Sequence, residues 1–170
     1  MRYILILIIA SMTAVLGCTP APKQEPVVEE SPVVETTQSE KEYEAGTWID
    51  NWELAISYAR QSGKKVLVNF TGSDWCGWCV RLSSEVFTQD AFKEYAQENL
   101  ILLKLDFPRN IDQSSELKKQ NQYLQRQFGI QGYPTILLVD EEGKEIARTG
   151  YQPGGAQNYV KHLQELQQSK

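Results

Sequence analysis

Two stretches, KKVLVNFT (64–71) and LILLKLDF (100–107), are short, β-branched and almost continuously apolar. That length and texture fit strands buried on both faces, which only a sheet covered by helices on each side supplies. The segments around them have helical spacing. WIDNWELAISYARQS (48–62) places Trp52, Ala55, Ile56 and Ala59 on one face, with Asp50 or Asn51 as N-cap and Gly63 as the stop. After residue 79, Leu82, Val86 and Phe87 read as an apolar face, and a second helical set runs from about Asp90 to Asn99. SSELKKQNQYLQRQFG (114–129) reads as a helix with Leu117, Tyr123 or Leu124, and Phe128 inward. PTILLVD (134–140) and KEIARTG (144–150) have the pattern of a hairpin, and Tyr159, Val160, Leu163 and Leu166 form the inner side of a last helix. Alternation followed by a hairpin predicts an α/β fold with a mixed central sheet flanked by helices.

Cys76 and Cys79 fall where the first buried strand ends and a helix begins, the place where open α/β sheets put their sites. That position sets the first sulfur near unsatisfied helix N–H groups. Such a pair is a redox switch, half of a metal site, or two thiols that are close by accident. As a structural staple it is poor, because closure entropy grows with loop length and this loop is tiny.

The ends of the chain narrow the setting. Arg2 followed by the apolar run Ile4 to Leu16 has the flanks and size of a secretory signal (1–17), too short for the roughly 20 residues that span a bilayer. Val15-Leu16-Gly17-Cys18 is similar to the bacterial lipobox, which predicts lipidation of Cys18; the other reading is an ordinary signal cut elsewhere. Residues 18–45 are rich in Pro, Glu, Ser and Thr, and are expected to be a disordered, self-repelling tether. The tether carries the whole net charge of −5, leaving the part from Gly46 to Lys170 with fourteen basic and fifteen acidic residues. A nearly neutral domain lacks the basic face that nucleic-acid binding needs. Its length suits one domain with one core. Export places it where disulfide chemistry is permitted.

VLVNFTGSDWCGWC (66–79), LLKLD (102–106), FGIQGYPTILLVD (128–140) and RTGY (148–151) resemble, in order, the motifs of the thioredoxin superfamily. Within it the chain looks most like exported members related to the periplasmic disulfide reductases. The resemblance covers about residues 48–168 and implies a thioredoxin fold within 46–170. It implies that Cys76 is the exposed nucleophile and Cys79 the resolving thiol, the two forming a redox-active disulfide. Trp75 would shield the site, and Gly77 would let the turn close. Tyr133–Pro134 would carry a cis peptide bond facing the cysteines.

The chain also departs from the family. The family's buried acid is matched by Asn69, in a segment one residue longer before Cys76. A proton acceptor for Cys79 must then be water or another carboxylate, such as Asp74 or Glu85. Lys104 matches the lysine beside that acid, or is a surface lysine on a strand. Trp78 replaces the proline of thioredoxin and the histidine of the isomerases, which predicts a less oxidising pair. PRNIDQSSELKKQ (108–120) lengthens the connection after the second strand, as a partner surface or as a longer helix.

Structural zinc takes about four ligands, and His162 is the one further candidate, expected at the surface or the edge of the core. Haem attachment would need histidine where Val80 stands. No cofactor beyond the cysteines is implied. The sequence therefore predicts an extracytoplasmic, lipid-anchored thiol–disulfide oxidoreductase that reduces or isomerises disulfides of exported proteins. A monomer, recharged by a membrane electron-donor protein and held at the outer rather than the inner membrane, is expected. A disulfide-forming oxidase and a non-catalytic adaptor are the alternatives.

Overall fold

The computed structural model describes residues 43–168. The signal at 1–17, Cys18 and the tether as far as residue 42 lie outside them. The order of elements is β1 (Trp48–Ile49), α1 (Trp52–Ser62), β2 (Lys65–Thr71), α2 (Gly77–Leu82), a π-helical turn (Ser83–Phe87), α3 (Asp90–Asn99), β3 (Leu100–Asp106), α4 (Ser115–Gln127), β4 (Thr135–Val139), β5 (Glu145–Thr149) and α5 (Gly155–Gln168). The five strands make one sheet in the order β1-β3-β2-β4-β5. β1, β3 and β2 run parallel, and β4 and β5 join antiparallel. This is the thioredoxin fold.

The two apolar runs are the inner strands β3 and β2, and their alternate residues feed two separate cores. Val66, Val68 and Phe70 pack with Ile101, Leu103 and Leu105 against α1 and α4. Leu67, Leu100 and Leu102 pack on the other side with α3, α5 and the π-helical turn. Asn69 and Lys104, paired across β2 and β3, belong to this second face and lie at the strand ends beyond its apolar residues.

Two local readings are corrected, at Trp48–Ile49 and at Tyr43, and one choice is settled. Trp48 and Ile49 are an edge strand beside Leu102 and Leu103, not the start of a helix. Trp48 packs into one core and Ile49 into the other, which adjacent residues achieve only in a strand. The helix starts later because Asn51 caps it, its Oδ1 accepting the Leu54 N–H at 2.9 Å. In α4 the inward residue is Leu124, while Tyr123 is 60% exposed. The polar Asn121 is buried beside it, donating Nδ2–H to the Asp106 carbonyl at 2.9 Å. Tyr43, assigned by composition to the tether, packs on Tyr58 with ring centroids 5.1 Å apart and accepts the Leu102 N–H on its hydroxyl.

The π-helical turn has a simple cause. Leu82, Val86 and Phe87 are all buried, and an α-helix would rotate Phe87 well away from Leu82. Widening one turn, with Thr88 N–H donating to Ser83 O at 3.0 Å, brings all three to the core.

Candidate active site

The chain leaves β2 at Thr71 and reaches α2 through a loop fixed from beneath by a carboxylate. Asp106, at the end of β3, accepts the Ser73 N–H at 3.0 Å and the Ser73 hydroxyl at 2.6 Å. Asp106 is buried, and Lys104 Nζ lies 3.8 Å from its Oδ2. Gly72 is required in this loop, because a Cβ there would collide with the indole of Trp75. Cys76 then caps α2 in an extended conformation, and Cys79 sits in its first turn. The two are joined as a disulfide with Cα atoms 5.2 Å apart. The Cys79 N–H donates to Cys76 Sγ at 3.2 Å. A donor so placed favours negative charge on that sulfur when the bond is reduced.

The cysteines sit between two aromatic walls. In the first, Trp75 donates Nε1–H to Phe107 O at 2.8 Å and meets Tyr133 edge-on at 5.7 Å. The Arg109 guanidinium lies 4.1 Å over its ring. Asp74 holds this arrangement by accepting the N–H groups of Arg109 and Asn110, at 3.0 and 2.6 Å. The Arg109 N–H above all, with that of Asn110, keeps the Asp74 carboxyl below the usual range despite some desolvation. In the second wall, Trp78 packs on Tyr151 at 5.1 Å, with Arg81 5.5 Å from one ring and 5.3 Å from the other. Glu85 closes the cluster, accepting Tyr151 O–H at 2.6 Å and pairing with Arg81 at 2.7 Å. The Tyr151 bond first, then Arg81, holds the Glu85 carboxyl low.

The Tyr133–Pro134 peptide bond is cis. Tyr133 is fixed by the Gln125 amide, which donates to its hydroxyl at 2.6 Å, and by its contact with Trp75. Gly150 packs against the same segment, since a Cβ there would lie 3.2 Å from the Pro134 carbonyl. Tyr159, buried under β5, donates its hydroxyl to Gly150 O at 3.0 Å.

Beneath the pair lies a cleft of about 370 Å³ lined by Cys79, Asn69, Lys104 and hydroxyl residues including Ser73 and Ser83. The structure thus brings Asn69, Lys104 and Cys79 together. Lys104 is exposed and turns its charge toward Asp106, which combines the two readings of it. Asp74 and Glu85 are excluded as partners of Cys79: each is bound elsewhere, and neither lines the cleft. Cys76 is not the exposed residue expected, being 7% accessible against 5% for Cys79, because its sulfur is turned back onto the helix start. Gly77 is not needed to close the turn. It has no positive φ, and a Cβ there would meet nothing within 4 Å, so a larger residue would fit. His162 shares a 2.8 Å hydrogen bond with Thr149 Oγ1 at the edge of the core. Among the described residues, no three His, Cys, Asp or Glu side chains converge as a metal site would require.

Sequence reasoning missed Asp106, Arg109 and the Tyr151–Arg81 pairing. Asp106 was visible as the acid ending an apolar strand. The other two depend on loops whose path no spacing rule gives.

The sequence model of the thioredoxin-like domain family matches residues 52–167. The disulfide bond reductase DsbH of Chlamydia pneumoniae is 35% identical over 111 residues, which cover 65% of this chain and 67% of that protein. A solved DsbH oxidoreductase structure superposes with a TM-score of 0.70 at 28% identity, covering 87% of this chain and 96% of that one. The chain is also 33% identical over 97 residues to the thiol:disulfide interchange protein DsbD of Actinobacillus pleuropneumoniae serotype 5b (strain L20), but that match covers 57% of this chain and only 15% of the longer protein. Fold, family match and the joined Cys76–Cys79 pair lead to one assignment: the chain belongs to the thioredoxin-like domain family and is a thiol–disulfide oxidoreductase.

Proposed function

We propose that this protein is a lipid-anchored, extracytoplasmic reductase or isomerase of disulfides in exported proteins, with Cys76 as nucleophile and Cys79 as resolving thiol. The reduced pair would act in two steps. Cys76 thiolate attacks one sulfur of the substrate disulfide, expelling the other as a thiolate and leaving a mixed disulfide. Cys79 then attacks Cys76 Sγ, which releases the reduced substrate and forms the Cys76–Cys79 bond. The substrate gains two electrons and the protein loses them. A membrane electron-donor protein would return them.

The environment of Cys76 carries the direction. One N–H faces its sulfur, and the nearby cations are engaged: Arg81 with Glu85 and two rings, Arg109 over Trp75. Trp78 stands where a histidine would supply positive charge. Strong oxidants gain their potential from a stabilised reduced form, and little here stabilises it beyond the helix start. Similarity to a protein named as a disulfide bond reductase supports the same reading. The exposed Trp75 and Trp78 beside the pair suit an extended substrate chain lying against the cis Tyr133–Pro134 segment. The apolar leader, Cys18 and the acidic tether support export and anchoring, and Thr19 after the lipidated cysteine favours the outer membrane.

The test is the equilibrium reduction potential of Cys76–Cys79 against glutathione. A value near or below about −220 mV is expected, in the range of the glutaredoxins and thioredoxin. A value above roughly −150 mV would make the protein an oxidant and overturn the reductase reading.

A further inference from the structure

Among the described residues, one buried side-chain oxygen has no hydrogen-bond partner: Oδ1 of Asn69. The residue is 6% exposed, so the unpaired oxygen has a real desolvation cost unless something donates to it. It lines the cleft that also holds Cys79, and that volume has room for several waters. The remaining lining is rich in hydroxyls, from Thr71, Ser73, Ser83, Ser84 and Thr88.

We propose that Asn69 is a positioning residue that holds a water in this cleft, and that this water, not a carboxylate, takes the proton from Cys79 when the mixed disulfide is resolved. The water donates one hydrogen to Asn69 Oδ1 and turns a lone pair toward the Cys79 thiol. As Cys79 gives up its proton to it, the thiolate attacks Cys76 Sγ. The Cys76–Cys79 bond forms, the bond from Cys76 to the substrate sulfur breaks, and the substrate leaves as a thiolate that is protonated from solvent. The proton passes along the hydroxyl lining to bulk water.

The charged groups around Asn69 agree with this assignment. On β3, Lys104 is its cross-strand partner, and Asp106 is committed to Ser73 and faces Lys104 at 3.8 Å. On the helical side, Arg81 and Glu85 are paired with each other at 2.7 Å, away from the cleft lining. On β4 the neighbour is Ile136, which carries no charge.

The inference rests on the dithiol reading of the site, and one experiment separates the two. The full chain carrying Cys18→Ser, which removes the one cysteine outside the pair, is reduced and mixed with 5,5′-dithiobis(2-nitrobenzoate) in a stopped-flow instrument. A first, reagent-dependent release of thionitrobenzoate reports attack by Cys76; a second, reagent-independent release reports resolution by Cys79. Absence of the first release would overturn the dithiol reading, and this inference with it. The second phase should rise with pH through a single thiol inflection. Asn69→Leu should slow that phase about tenfold or more and leave the first unchanged, within the usual range for losing a positioned proton acceptor. Asn69→Ser, which keeps an oxygen that can hold the water, should recover most of the rate that Asn69→Leu loses, a rescue that a merely structural role would not give. Near-UV circular dichroism verifies folding of each variant, and Asn69→Ala takes the place of Asn69→Leu if the latter does not fold. A second phase in Asn69→Leu within about twofold of wild type would overturn the proposal. So would a carboxylate inflection in the wild-type profile that Asp106→Asn removes.

Discussion

Glu85 shows how one residue ties the rim of the site to pH. Tyr151 and Arg81 hold its carboxyl below the ordinary glutamate value in the folded state. The unfolded chain, with a pKa near 4.3, therefore takes up a proton first as the pH falls. The stabilisation is fully present above about 4.3 and is lost as the pH drops through the lowered folded value. Glu85→Gln should be less stable than wild type at pH 7, and urea midpoints of the two should converge toward pH 2. A difference that persists unchanged at low pH would mean that shape rather than charge is responsible. The same scale shows what was legible in the sequence. Pro134 with its cis bond stood out because Gly-Tyr-Pro-Thr precedes a strand. The proton partner of Cys79 did not, because Asp74 and Glu85 are close to it in sequence and their actual partners, Arg109 N–H and Tyr151 O–H, lie tens of residues away.

At the scale of elements, local chemistry sets most boundaries. Asn51 caps α1 through Leu54 N–H, and Gly63 ends it with φ 71° while donating to Ala59 O. Asn51→Ala should cost about 1 kcal/mol in urea denaturation. The rate of thiol exchange should not change, because α1 packs on the core opposite the one that α2 runs into. A loss of exchange activity in that variant would show that α1 supports the site. Helices α1, α3, α4 and α5 and strands β2 to β5 followed from periodicity and stop residues. β1 did not, since a two-residue strand has no period of its own and exists because β3 offers it an edge. The π-helical turn escaped for a related reason. Leu82, Val86 and Phe87 fit an apolar helix face only approximately, and the core, not the helix, settles the difference.

At the scale of the whole molecule, charge is divided unequally along the chain. All of the net −5 falls in the segment between Cys18 and Gly46, and the rest is nearly balanced. A neutral domain with two exposed tryptophans beside its cysteines can meet substrates of either charge, and an acidic spacer repels both itself and an anionic surface. Such a spacer is useful only if something holds its far end, and that is the role expected of Cys18. One acyl chain gives marginal membrane binding, whereas stable anchoring takes more than one. The multiply acylated cysteine of a bacterial lipoprotein would meet that requirement. The full chain expressed in bacteria should therefore partition into the detergent phase of Triton X-114 and incorporate labelled palmitate. Cys18→Ser should move to the aqueous phase with its Cys76–Cys79 potential unchanged, since the described contacts around the cysteines come from within the folded domain. Detergent partition that survives Cys18→Ser would trace anchoring to the uncleaved apolar leader. A shift in potential would mean that the tether reaches the cysteines.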